Sequence, residues 1–65
     1  MMTVKELKQA VNSGKKVYWN TPAYRVIKDN LGQYLIHCSI TDSYIGLTWR
    51  DGTLNGAEYE FYIED

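Results

Sequence analysis

Sixty-five residues make one small domain, since a chain of this length buries only about 60% of its unfolded surface and has no room for two cores. A content of 45% hydrophobic and 14% aromatic residues supports a packed core, while one cysteine (Cys38) and one histidine (His37) exclude an internal disulfide and a four-ligand Cys/His zinc site. The net charge of −1 and a pI near 5.7 stand well below the basic balance expected of a chain that coats nucleic acid.

The chain opens as a helix, predicted over residues 3–13. Thr3 is followed three residues on by Glu6, a capping box in which each side chain satisfies the other's free backbone N–H. Val4, Leu7 and Val11 form one apolar stripe with Ala10 at its edge, and Ser13-Gly14 stops the helix with Gly14 in a left-handed conformation. At about ten residues it is too short to stand alone, so it must pack on something else. That partner is a sheet, predicted as strands over residues 15–20, 23–28, 33–40, 44–49 and 58–63.

In the first strand Val17 and Trp19 share one face and Lys16 and Tyr18 the other. Pro22 marks the next turn. The Tyr24–Lys28 stretch is rich in β-branched and aromatic residues, and Asp29-Asn30-Leu31-Gly32 reads as a hairpin loop. In the third strand Tyr34, Ile36, Cys38 and Ile40 oppose Leu35, His37 and Ser39; in the fourth, Ile45, Leu47 and Trp49 oppose Tyr44, Gly46 and Thr48. The last groups Tyr59, Phe61 and Ile63 against Glu58, Glu60 and Tyr62. Between these two, Asp51-Gly52 and Asn55-Gly56 are turn signals too close together to serve one hairpin, so residues 50–57 are expected to form an irregular loop with Leu54 folded back over the open end of the core. No connection between strands is long enough for a parallel crossover. The expected fold is therefore α+β: one N-terminal helix packed on a curled antiparallel meander of four or five strands, either an SH3-like or OB-like small barrel or an open sheet.

Little here suggests catalysis. His37 alone titrates near neutrality without perturbation, and it lies mid-strand between apolar neighbours. Adjacent residues on a strand face opposite ways, which separates His37 from Cys38 as a base–nucleophile pair. Glu58 and Glu60 read as a solvated face, and the glycines match no phosphate-cradling spacing. The chain is expected to be no enzyme and to hold no cofactor or metal. The N-terminus lacks the apolar stretch of a signal peptide and no run is long enough to cross a membrane; with a lone thiol, the expected compartment is the cytoplasm.

Binding is the remaining class. Facing Val17, Trp19, Ile36, Cys38, Ile45, Leu47, Trp49, Phe61 and Ile63 inward turns Tyr18, Leu35, Tyr44 and Tyr62 outward. Exposed tyrosines of this kind mark a protein contact or a homodimer seam, here placed on Tyr18, Tyr44 and Tyr62 with Arg50 and Asp51 on the neighbouring loop. The alternative is a small single-stranded nucleic-acid binder built on Lys16, Tyr18, Arg25 and Lys28, with rings for bases and cations for phosphates. Charge is uneven along the chain: residues 1–28 hold six cations against Glu6, a balance of +5, and residues 29–65 hold Arg50 against seven carboxylates, a balance of −6. Its acidic end (Asp51, Glu58, Glu60, Glu64 and Asp65) admits a third reading, mimicry of a nucleic-acid strand, while side-by-side neutralisation of the two halves is the plainer account.

The stretch from Val17 to Ile63, through "VYW", "YRVIKDNLGQYLI", "IGLTW" and "DGTLNG…FY", resembles small uncharacterised proteins encoded by bacteriophages and prophages. The resemblance implies a non-enzymatic accessory protein that acts by binding a host protein. It carries no functional residues with it.

Overall fold

The computed structural model describes residues 3–64. Helix α1 spans Val4–Asn12 and is followed by strands β1 (Lys16–Trp19), β2 (Thr21–Lys28), β3 (Tyr34–Cys38), β4 (Ser43–Gly46) and β5 (Phe61–Glu64), with a single 3-10 turn at Glu58–Glu60 before the last. The fold is α+β, with every strand pair antiparallel and the order β4-β3-β2-β1-β5. The first four strands form a meander. The chain then crosses back so that β5 lies beside β1, a departure from the simple meander. The sheet is open: closure would require β4 to meet β5, and these are its two edges.

The helix is fixed at both ends by local chemistry. Glu6 Oε1 accepts from the Thr3 N–H at 3.0 Å and Thr3 Oγ1 accepts from the Glu6 N–H at 3.2 Å, the full capping box. At the other end Gly14 donates to the Val11 carbonyl and Lys15 to the Ala10 carbonyl, a Schellman closure that needs the positive φ of +82° at Gly14. Leu7 and Ala10 are the buried residues of the helix, with Val4 and Val11 flanking them half-buried. Tyr34 Oη donates to Asn12 Oδ1 at 2.9 Å, tying the end of the helix to β3.

Leu7, Ala10, Val17, Val26, Ile36, Leu47 and Phe61 form the core, and Val11, Trp19, Tyr24, Tyr34, Leu54 and Ile63 pack around it. Each fully buried side chain of this size contributes roughly 1.5–3 kcal/mol. The helix packs on β1 and β2. Ile45 of β4 therefore shares the inner face, opposite Ile36, yet stays 44% exposed beyond the helix's reach. Trp49 is 61% exposed rather than inward, because β4 ends at Gly46 and strand alternation no longer applies three residues on. Tyr59 is exposed for the same kind of reason, as it sits in the 3-10 turn and not in a strand.

Two turns use one device. Asp29 N–H donates to the Gln33 carbonyl and Trp49 N–H to the Thr53 carbonyl, each closing three intervening residues that end in a glycine at positive φ, Gly32 at +81° and Gly52 at +87°. Asp51-Gly52 thus turns a small hairpin closed by the Thr48–Leu54 bridge, more regular than the loop expected there. Between β1 and β2 the turn residue is Asn20, at φ +62°, and Pro22 already belongs to β2. Among the described residues no helix is long and apolar enough to cross a membrane.

Candidate functional site

The helix covers one face of the sheet and leaves the other open. Register places residues on that open face in a single row. Tyr62 of β5 pairs with Tyr18 of β1, Tyr18 with Arg25 of β2, Arg25 with His37 of β3, and His37 with Tyr44 of β4. Directly opposed residues share a face, so Tyr62, Tyr18, Arg25, His37 and Tyr44 cross all five strands in line. Four interstrand steps of about 4.8 Å give the row a length of roughly 19 Å. Lys16 and Leu35, two residues along from Tyr18 and His37, lie on the same face.

The rings in the row pair with each other. His37 and Tyr44 stack at 4.5 Å between centroids and 25° between planes; Tyr18 and Tyr62 meet at 5.5 Å and 42°. The stacked His37 and Tyr44 rings turn their faces to each other, while Tyr18 and Tyr62 meet at a tilt. His37 Nε2 is also 2.7 Å from Asp42 Oδ1. That loop residue takes a φ of +54°, a conformation aspartate tolerates better than most residues. Arg25 has no carboxylate within 4.0 Å among the described residues. The Glu64 carboxylate beside Tyr18 holds its phenol above the ordinary value.

Of the residues singled out from the sequence, Tyr18, Tyr44 and Tyr62 do share the open face, with Tyr44 at one edge of the sheet and Tyr62 at the other. Arg50 and Asp51 sit in the hairpin after β4. Asp51 Oδ1 accepts from the Thr53 N–H at 3.0 Å and its hydroxyl at 2.7 Å, which holds the carboxyl below its ordinary range, so Asp51 serves the turn. No hydrogen bond or ring contact among the described residues joins either one to the row.

Within the nucleic-acid set, Lys16, Tyr18 and Arg25 are neighbours. Lys28 lies on the opposite face, in register with Tyr34, its Nζ 5.5 Å from the Tyr34 ring centroid and 3.5 Å from Asn12 Oδ1. Lys8 shares that ring at 5.1 Å. In the acidic set, Glu60 is engaged: its Oε1 accepts from Ala57 N–H at 2.8 Å and Trp19 Nε1 at 3.4 Å. Asp65 lies outside the described residues. Cys38 is buried on the inner face, its thiol held below the ordinary value chiefly by the Thr41 hydroxyl. Among the described residues no three His, Cys, Asp or Glu side chains gather as metal ligands.

Sequence reasoning missed His37 as a member of the site. The signal was available: a four-residue loop over Ser39–Asp42 sets Cys38 opposite Ser43, and hence His37 opposite Tyr44. Comparison of the chain with protein-family models, with curated proteins and with solved structures gives no match in any of the three.

Proposed function

We propose that this protein is a small non-enzymatic binding module whose open sheet face docks a protein partner, with Tyr18, Arg25, His37, Tyr44 and Tyr62 as the contact row. The observation that carries this reading is the register itself, which sets three tyrosines, an arginine and a histidine in one line across five strands. Tyr and Arg are the residues that anchor interfaces most often, because they combine large contact area with a polar tip. Their mutual stacking fixes the rings before binding, which reduces the ordering cost of association. Arg25 has no carboxylate within 4.0 Å among the described residues, and its guanidinium suits a carboxylate on the partner.

Single-stranded nucleic acid is the second reading, supported by Lys16 and Arg25 beside Tyr18 on one face. Three observations weigh against it. The His37 and Tyr44 ring faces are stacked on each other, Lys28 is on the other side of the sheet, and Glu64 places a negative charge against Tyr18. The acidic-mimic reading loses Glu60 to an internal network. The likeness to small phage-encoded proteins favours a phage-type accessory protein in the host cytoplasm with a host protein as its partner, and a second copy of the chain is a further candidate.

The test is capture from bacterial lysate with the wild type and the Arg25→Glu and Tyr44→Ala variants, each checked for folding by circular dichroism. A partner held by the wild type, released by both variants and little affected by salt is the expected outcome. Amide shifts at Lys16, Tyr18 and Arg25 on adding a single-stranded oligonucleotide, abolished by salt as released counterions return, would pass the face to nucleic acid.

A further inference from the structure

Asn55-Gly56 is the one Asn-Gly pair in the chain, and separate demands of the fold hold each residue in place. At β4, the bond from Leu47 N–H to the Tyr34 carbonyl (3.0 Å) sets the phase of the ladder, so Ser43 and Ile45 bond toward β3 while Tyr44 and Gly46 look outward. The outward Gly46 carbonyl accepts from Asn55 Nδ2 at 3.1 Å, and Asn55 N–H donates to the Leu47 carbonyl at 2.8 Å. Asn55 thus ties the returning chain to the β4 edge. Gly56 follows at a φ of +136°, where the lack of a side chain leaves room for the Trp19 indole.

These two residue types in sequence react with each other. A glycine nitrogen has no Cβ beside it to hinder attack on the preceding side-chain carbonyl carbon, and an asparagine amide is an electrophile whose nitrogen departs as ammonia. Asp51-Gly52 is open to the same ring closure and gives an internal comparison. There the Gly52 N–H donates to the Trp49 carbonyl at 2.9 Å, and the Thr53 N–H and hydroxyl keep the Asp51 carboxyl ionised, which makes it a poor electrophile. Asn55-Gly56 has neither protection. The Gly56 N–H has no acceptor among the described residues, Gly56 is exposed to water, and the neutral Asn55 side chain is restrained by its bond to Gly46.

We infer that Asn55 is a self-modification site, converted by Gly56 and water to aspartate and isoaspartate, and that the conversion releases the returning chain from β4. The Gly56 nitrogen bonds to Asn55 Cγ, the Cγ–Nδ2 bond breaks, and the Gly56 proton leaves with the amide nitrogen as ammonia. One water then opens the ring. Its addition at Cγ gives aspartate; its addition at the main-chain carbonyl carbon gives isoaspartate, with the backbone rerouted through Cγ. Either product puts a carboxylate where Nδ2 stood, and an ionised carboxylate has no proton for the Gly46 carbonyl. Isoaspartate also lengthens the backbone by one carbon beside Gly56, where Trp19 and Glu60 already crowd the chain. The new charge stands next to the β4 edge, and charge blunts strand pairing, so release in this way does not hand the edge to a second copy. The site is independent of the tyrosine row and of any partner.

The experiment is incubation of the full chain in heavy-oxygen water, folded and in urea, followed by peptide mass spectrometry. Label should enter the folded chain at residue 55 before any other Asn and before Asp51, at a rate within about tenfold of the unfolded chain, the factor that opening one hydrogen bond imposes. A larger gap would show that the fold shields the pair, and labelling at Asp51 as fast as at residue 55 would show that the free Gly56 N–H decides nothing; either overturns the assignment. The release has its own readout. The reacted fraction, separated by its added negative charge, and the Asn55→Asp variant should both exchange the residue-55 N–H and the Trp19 indole N–H several-fold faster than the unreacted chain. Unchanged exchange in both would overturn the release.

Discussion

Gly56 is the residue whose replacement tests the packing most sharply. Its φ of +136° lies where side chains other than glycine's are strained, and a Cβ there would stand 3.1 Å from Trp19 Nε1 and 3.3 Å from Glu60 Oε1. Those are the two atoms of the hydrogen bond that holds the indole against the returning chain, with Ala57 N–H on the same carboxylate oxygen. Gly52, by contrast, has positive φ but open space around it. Gly52→Ala therefore meets backbone strain alone, about 1 kcal/mol. Gly56→Ala adds a displaced Trp19–Glu60 contact and should lose about 2–3 kcal/mol, lowering Tm by roughly 10 °C or more in a domain this small. Thermal unfolding of the two variants followed by Trp fluorescence separates the contributions; equal losses would mean that Gly56 matters only for its backbone.

At the scale of elements, the helix is where sequence and structure agree most directly, because its signals are local. Thr3→Ala removes the acceptor for the Glu6 N–H and should cost about 1 kcal/mol. The partner carboxylate gives a pH test. The Thr3 backbone N–H, then its hydroxyl, hold the Glu6 carboxyl below its ordinary value. A depressed folded-state value contributes stability above the ordinary glutamate range and loses it as pH falls through the folded value. The gap in urea midpoint between wild type and Glu6→Gln should be open near neutrality and closed well below that range. Strand positions were legible from alternation, as Val17, Ile36 and Phe61 show by their burial. What alternation could not supply was where it stops: β4 ends at Gly46, and the 3-10 turn at Glu58–Glu60 takes Tyr59 out of the inward set. Tyr18, Tyr44 and Tyr62 were legible as outward residues for the same reason. Their alignment through Arg25 and His37 was not, since it depends on β5 choosing β1 as its neighbour and on every turn length at once.

The whole molecule resolves the charge asymmetry and poses its own problem at the edges. β5 lies against β1 with Lys16 directly opposite Glu64, one opposite-charge pair that joins the two halves of the chain. An open sheet of five strands nevertheless keeps two edges, and edges template association unless something blunts them. At β5 the Phe61 N–H is already taken by the Glu58 carbonyl, and Glu64 carries a charge on the strand. The β4 strand, Ser43-Tyr44-Ile45-Gly46, has no charged side chain, no proline, and two exposed apolar groups, with Tyr44 55% accessible. Asn55 stands in for the missing charge by capping the Gly46 carbonyl. Asn55→Ala removes the cap while the Asn55 N–H bond to Leu47 keeps the loop in place. The uncovered carbonyl and the outward groups of Tyr44 then offer a continuous uncharged edge to a second β4, whose Ile45 would cover the half-exposed Ile45 of the first. Sedimentation velocity across a concentration series should find the variant self-associating at concentrations several-fold below those that affect the wild type, with salt changing little because no charges are involved. Coincident curves for the two proteins would show that the short length of β4, and not Asn55, is what keeps this edge unpaired.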